Sequence, residues 1–269
     1  MKKGIRNILT AAFLVYLCLV GGLYVVQRSM IYFPPAHKSD ITPYIHQGVF
    51  ETTVETADGL TLSAWMQNPE EDKEIIVFFH GNASSLENTI YKAAPYSNAG
   101  YGFLLVNYRG YEGQGGQPSE QGFYADARAW IKKLGDLGIA QEKIILYGES
   151  IGTGVAVQMA KEFPLVKAMI LESPYTSLPD VAAKTYFFIP VHLLMKDKFD
   201  SLSKIAGIHV PLFVIQGLRD NIVPPSLGQK LFAAANDPKE ILQLDQYTHN
   251  NMPDALKAPP AIEFLKNLD

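Results

Sequence analysis

The stretch Gly148-Glu149-Ser150-Ile151-Gly152 holds one serine between glycines, directly after the apolar run "IILY" and directly before "GVAVQMAKEF". A β-rich run, a glycine-flanked serine and a helical pattern make the strand-turn-helix context of a nucleophile elbow. There the hydroxyl is held out above a helix N-terminus, whose dipole favours developing negative charge. Glycines two before and two after the serine suit a turn with little room for side chains. A serine hydroxyl is a weak nucleophile near neutral pH, so it needs a base, and the base needs an acid to orient it. Of the six histidines, His37, His46, His192 and His209 fall in segments with nothing around them that suggests chemistry. His80 follows "IIVFF" directly, a place for loop geometry and hydrogen bonding. His249, in the polar "DQYTHNNM" after the last apolar run, is the candidate base. Asp220, after "LFVIQGLR", is the candidate acid and completes the order serine, acid, histidine that accompanies this elbow. Glu172, ending "AMILE", and Asp245 are alternative acids. The backbone N–H groups of Ile151 and of Asn82, the latter in "FFHGNASS", are candidate oxyanion-hole donors, Gly81 letting the backbone come close. This set performs covalent acyl transfer, and it calls for neither metal nor organic cofactor.

Such residues meet only if the chain folds around them. "VFETTV" and "LTLSAWM" flank Asp58-Gly59, a hairpin signal. Short apolar runs follow at 75–79, 103–108, 144–147, 168–172, 212–216 and 241–244, of the length and composition of strands covered on both faces. Between them lie helical patterns, for example Phe123, Ala127, Trp130, Ile131 and Leu134 on one face of a helix that Ser119 can cap. Strands alternating with helices predict an α/β fold, a mostly parallel sheet with helices on both faces and an antiparallel start. The segment 175–209, with "YFFIPVHLLM", is long for a connection between strands. Ligands bind outside the carboxyl ends of such strands, so an apolar insertion emerging there is a candidate lid. The ordinary alternative is a helix whose Phe187, Phe188, Ile189, Leu193 and Leu194 complete the core.

The N-terminal stretch Ile8 to Val26 carries no charge over about 19 residues, close to the ~20 that a membrane-spanning helix needs. Lys2, Lys3 and Arg6 precede it and only Arg28 follows closely. The positive-inside bias therefore places the N-terminus in the cytoplasm and the domain across the membrane, periplasmic or extracellular. A cleaved signal peptide shares this pattern, but the run is long for one and no small-x-small cleavage site is obvious near its end. Val15, Tyr16 and Leu17 before Cys18 are bulky where a lipoprotein processing site is small. The organisation expected is an anchor over 1–28, a proline-rich tether over 29–47 and a catalytic domain over 48–269. The chain's 269 residues and 48% hydrophobic content suit one large domain with a buried core. A net charge of -4 offers no basic stripe for nucleic acid. A single cysteine excludes an intramolecular disulfide.

With "HGNA", "NYRGYEGQGGQPSE", "GESIGTGVA", "ESPYTSL", "KDKFDS", "GLRDNIVPP" and "HNN" in order from His80 to Asn251, the chain resembles the α/β-hydrolase-fold serine hydrolases, in a branch of membrane-anchored members. "RSMIYFPP" after the anchor is similar to that branch as well. Some mammalian members remove fatty acyl chains from protein cysteines or cleave lysophospholipids. The resemblance thus implies an esterase, thioesterase or lysophospholipase-like hydrolase acting on acyl esters or thioesters of a lipid or lipidated protein. Two departures stand out: Asn251 where many members have Asp after His-Asn, and Thr248 where many have Gly before the histidine. Neither touches the three candidate residues, though Thr248 bears on the loop that orients the imidazole. Arg109 and Gly110 read as structural. A small-peptide hydrolase is a second enzyme reading, favoured by a large inserted domain or an acidic cluster for a substrate amine, neither of which is evident. A membrane-tethered binding protein without turnover is the third.

Overall fold

The computed structural model describes residues 2–268. In chain order the elements are α1 (Lys2–Ile31), β1 (Phe50–Glu55), β2 (Thr61–Gln67), β3 (Ile75–Phe79), α2 (Leu86–Ser97), β4 (Gly102–Val106), α3 (Glu120–Asp136) and β5 (Ile144–Glu149). They continue with α4 (Ile151–Glu162), β6 (Ala168–Glu172), α5 (Leu178–Thr185), α6 (Val191–Leu194), α7 (Leu202–Ile205), β7 (Leu212–Gly217), α8 (Pro225–Ala234), β8 (Lys239–Leu244) and α9 (Asp254–Lys266). The strands form one sheet in the order β1-β2-β4-β3-β5-β6-β7-β8. β1, β2 and β4 run antiparallel and all later pairs parallel.

Every residue of β3, β4 and β6 is buried, because helices cover both faces and neither side of these strands meets water. On one face Phe123, Trp130, Val155 and Phe199 pack together; on the other, Phe78, Tyr96, Phe213 and Phe264. Helix starts follow local chemistry: the hydroxyls of Ser85, Ser119 and Ser177 accept from the N–H groups of Asn88, Gly122 and Asp180, at 3.2, 3.1 and 3.2 Å. Arg109 links the β1–β2 turn to α3, with Nη1 2.6 Å from Asp58 and Nε 2.8 Å from Asp126.

The segment after α1 is fastened to the domain. α1 itself runs on to Ile31, and Tyr32 is buried edge-on against Phe123, ring centroids 5.3 Å apart. Ser39 bonds Glu112, and Glu87 accepts from the N–H of Asp40 at 2.8 Å. Prolines stop the helix, and apolar and polar partners on the domain hold the residues beyond it. The insertion over 175–209 forms the short helices α5, α6 and α7, and it does not simply complete the core: Ile189 and Val191 are buried, but Phe187 is 84% and Leu193 79% exposed.

Candidate active site

β5 ends at Glu149 and α4 begins at Ile151, so Ser150 alone makes the turn, at φ 50° and ψ −118°. This left-handed, strained conformation is held by its surroundings. The Ser150 N–H donates to the carbonyl of Glu172 at 2.9 Å, extending the β5–β6 ladder, and the Ser150 carbonyl accepts from Thr153 N–H at 2.9 Å. A Cβ on Gly152 would overlap the carbonyl oxygen of Phe79, and one on Gly148 would lie 2.6 Å from the carbonyl oxygen of Gly152. The glycines are needed because the elbow presses α4 against the end of β3.

β7 and β8 bring the other two residues to the same edge. His249 Nε2 lies 3.0 Å from Ser150 Oγ, and His249 Nδ1 lies 2.6 Å from Asp220 Oδ2. The Asp220 side chain is fully buried and that of His249 10% exposed. The other oxygen of Asp220 accepts from the N–H groups of Ile222 and Val223 at 2.9 and 2.8 Å, which fixes the carboxylate toward the ring. The histidine loop is stapled by Asn251, whose Oδ1 accepts from Thr248 N–H at 2.7 Å and Thr248 Oγ1 at 3.0 Å. Thr248 therefore gives that loop an added hydrogen bond that a glycine would lack. Gly217 is a close approach too, since a Cβ there would lie 2.6 Å from the carbonyl oxygen of Tyr247.

Neither alternative acid takes part. Asp245 makes no hydrogen bond to His249 among the described residues, and Glu172 faces a buried cluster. Its carboxylate receives Lys257 Nζ at 2.6 Å, Lys92 Nζ at 3.2 Å and Tyr147 OH at 2.5 Å. Burial pushes this carboxyl up, but the two ammonium groups and their hydrogen bonds outweigh it and hold the pKa below the ordinary glutamate value. Glu149, beside the nucleophile, pairs with the same Lys92 at 3.2 Å. Nothing in the sequence marked this network: Lys257 is a lone lysine in "DALKAPPAIEF", with no local signal of burial.

The loop after β3 lies against the elbow, the carbonyls of Phe79 and His80 both facing Gly152. The backbone N–H groups of Asn82 and Ile151 make no hydrogen bond among the described residues. Ile151 is the first residue of α4, where an N–H has no intrahelical partner. The side chain of Asn82 turns the other way, toward α1: Nδ2 donates to the carbonyl of Ile31 at 2.5 Å, and Oδ1 accepts from Phe33 N–H at 3.0 Å and Tyr111 OH at 2.8 Å. His80 is buried, its Nδ1 donating to the carbonyl of Gly81 at 2.8 Å. Burial pulls its imidazole pKa down to about 4, so the ring is neutral. Among the described residues, no group of three or more His, Cys, Asp and Glu is arranged to hold a metal ion.

A strained serine on a strand-turn-helix elbow, at the carboxyl edge of a mostly parallel eight-stranded sheet, defines a class of protein. The chain belongs to the alpha/beta hydrolase family. The model of the alpha/beta hydrolase fold matches residues 74–200. An uncharacterized protein of Mycobacterium tuberculosis is 36% identical over 230 residues, which cover 84% of this chain and 81% of that one. Protein bem46 of Schizosaccharomyces pombe is 28% identical over 270 residues, covering 93% and 90%. Among solved structures, the esterase Pf2001 of Pyrococcus furiosus superposes with a TM-score of 0.72 at 23% identity, over 88% of this chain and 98% of that one.

Proposed function

We propose that the protein is a membrane-anchored serine hydrolase that cleaves carboxylic ester or thioester bonds of lipid-like acyl substrates. The observation that carries this reading is the His249 ring, within 3.0 Å of Ser150 Oγ on one side and 2.6 Å of Asp220 on the other. Ser150 attacks the acyl carbonyl while His249 takes its proton, and Asp220 holds the tautomer and stabilises the imidazolium. The N–H groups of Asn82 and Ile151 receive the oxyanion, each worth about 10²–10³ in kcat. His249 then delivers the proton to the leaving group. Water, activated by the same ring, attacks the acyl-enzyme, and Ser150 regains its proton as the acid departs.

The anchor is α1. Residues Lys3–Ile31 make a helix long and apolar enough to cross a membrane, containing an 18-residue stretch of mean hydropathy 2.3, none of it buried in the domain. Basic residues cluster before the apolar run, which supports a cytoplasmic N-terminus and a catalytic domain on the far side. The apolar character of the 175–209 insertion supports an acyl rather than a polar substrate.

The test is labelling of the purified full chain in detergent by a fluorophosphonate, which reports an activated serine. The expected result is labelling of wild type and none of Ser150→Ala or His249→Ala. An unlabelled, folded wild type removes the hydrolase reading and leaves a membrane-tethered binding protein.

A further inference from the structure

α1 and the lid lie side by side. Tyr16 OH donates to the carbonyl of Phe188 at 2.9 Å, near the tip of the lid. At its base, Gln27 Nε2 donates to the carbonyl of Leu194 at 3.3 Å, and Gln27 Oε1 accepts from Lys196 N–H at 2.7 Å. From residue 16 to residue 27 is ~16 Å of helix axis, so the lid follows α1 over roughly half the ~30 Å of a bilayer's hydrocarbon.

The two elements also change polarity at one level. Between Lys184 and Lys196 the lid carries no Asp, Glu, Lys or Arg, as α1 carries none between Arg6 and Arg28. Where the apolar run of α1 ends, Arg28 pairs with Asp197 at 2.8 Å and Lys196 sits 4.4 Å from the centre of the Tyr24 ring. On the apolar side of that boundary Phe187, Phe188 and Leu193 stand exposed. His192, the histidine of this stretch, is bonded to Asp180 at 2.8 Å. Backbone in hydrocarbon must satisfy its own polar groups. Here the N–H groups of Tyr186, Ile189, Val191, Leu193, Leu194 and Met195 donate within the insertion and Pro190 has none, which leaves those of Phe187 and Phe188 at the tip without a hydrogen bond among the described residues.

Between the two elements runs an apolar groove of ≈ 580 Å³, part of it open solvent, lined by Leu23, Met30 and Ile31 of α1 and by Ala182, Ile189 and Met195 of the lid. One of its lining residues, Ile31, offers its carbonyl to the side chain of Asn82, in the loop after β3. Resting on the anchored-hydrolase reading above, we infer that the lid tip is inserted in the leaflet beside α1, and that the groove is a lateral port through which one lipid acyl chain passes from the bilayer to Ser150. The groove opens toward hydrocarbon along its length, so a chain enters it without crossing water.

The experiment uses the full chain in vesicles of phosphatidylcholine brominated on its acyl chains, which quench tryptophan on contact. The native Trp65 and Trp130 are buried and supply a constant background. Leu14→Trp reports the anchor and Phe187→Trp the lid, and both are expected to be quenched. Quenching of Leu14→Trp without Phe187→Trp overturns the inference while leaving the anchor standing; quenching of neither removes the anchor and the inference together. In the same vesicles, Ala182→Trp fills the groove. Its kcat/KM for p-nitrophenyl dodecanoate relative to p-nitrophenyl butyrate is expected to fall about tenfold, equivalent to roughly two methylenes of lost burial. An unchanged ratio with both esters hydrolysed overturns the port alone, and hydrolysis of neither ester by wild type overturns the port together with the hydrolase reading.

Discussion

Asn82 grips the end of α1 with both atoms of its amide, donating to the carbonyl of Ile31 and accepting from the N–H of Phe33. A residue whose backbone N–H is proposed as an oxyanion donor is thereby clamped to the helix proposed as the anchor. In Asn82→Ala the backbone donor remains but the clamp is lost. The expected outcome is a fall in kcat of about tenfold on a soluble ester with KM changed less than about twofold, since a displaced oxyanion donor costs less than the 10²–10³ of a missing one. A lower melting temperature with unaltered kcat would make Asn82 a scaffold residue only.

Asp220→Asn keeps an oxygen for the Ile222 and Val223 N–H groups but presents His249 with the wrong partner for its neutral tautomer. Ester hydrolysis should drop by about 10⁴ in kcat, with fluorophosphonate labelling slowed in parallel and the melting temperature little changed. A loss of tenfold or less would show that Asp220 is not the orienting acid.

Glu172→Gln leaves Lys92 and Lys257 facing a neutral group in a buried site. Breaking such a network by removing one partner costs about 3–5 kcal/mol, read as a lowered urea midpoint at constant m. Because the folded carboxyl is held below its ordinary value, its contribution is complete above the unfolded value near pH 4.3 and is lost as pH falls toward the folded one. Replacing Glu172 and Lys257 together by Met should recover most of the loss. If the double variant is no more stable than the single one, the charge imbalance is not the cause.

His80 is neutral and buried, with its pKa near 4. The unfolded chain binds a proton near pH 6.5 that the folded chain refuses, so this contribution is full above pH 6.5 and disappears as pH falls to about 4. The stability lost across this window is about 3 kcal/mol. Unfolding free energy measured against pH should slope through this window in wild type, and the slope should shrink in His80→Asn, whose amide can still donate to the carbonyl of Gly81. An identical slope in both proteins would assign the acid sensitivity elsewhere.

The sheet was legible because burial on both faces leaves a mark in one dimension: "IIVFF" and "AMILE" are continuous apolar runs, and they form β3 and β6 over those same residues. The elbow was legible because Gly148 and Gly152 answer a local steric demand. Some edges were less so. β8 begins at Lys239 rather than Ile241, since pairing with β7 extends the ladder past the apolar residues. Within 187–194, Ile189 and Val191 are buried while Phe187, Phe188 and Leu193 are exposed, a division that depends on what the segment folds against and that no local period encodes.

The sequence by itself determined the order and type of the strands, the helix start at Ser119, the apolar N-terminal run, and a short set of residues chemically fit for acyl transfer. Propensity, capping and periodicity act over a few residues, so they can be read along the chain. Only the tertiary structure decided that His249 lies 3.0 Å from a serine 99 positions earlier, that Glu172 serves the buried Lys257 and the part-buried Lys92 instead of a histidine, that Asn82 holds the end of α1, and that Tyr16 meets Phe188 across 172 positions. Those relationships depend on which strand lies beside which and on how an insertion folds back over a helix. They are set by the packing of the whole sheet, a free-energy balance to which every element contributes and no single segment carries a signal.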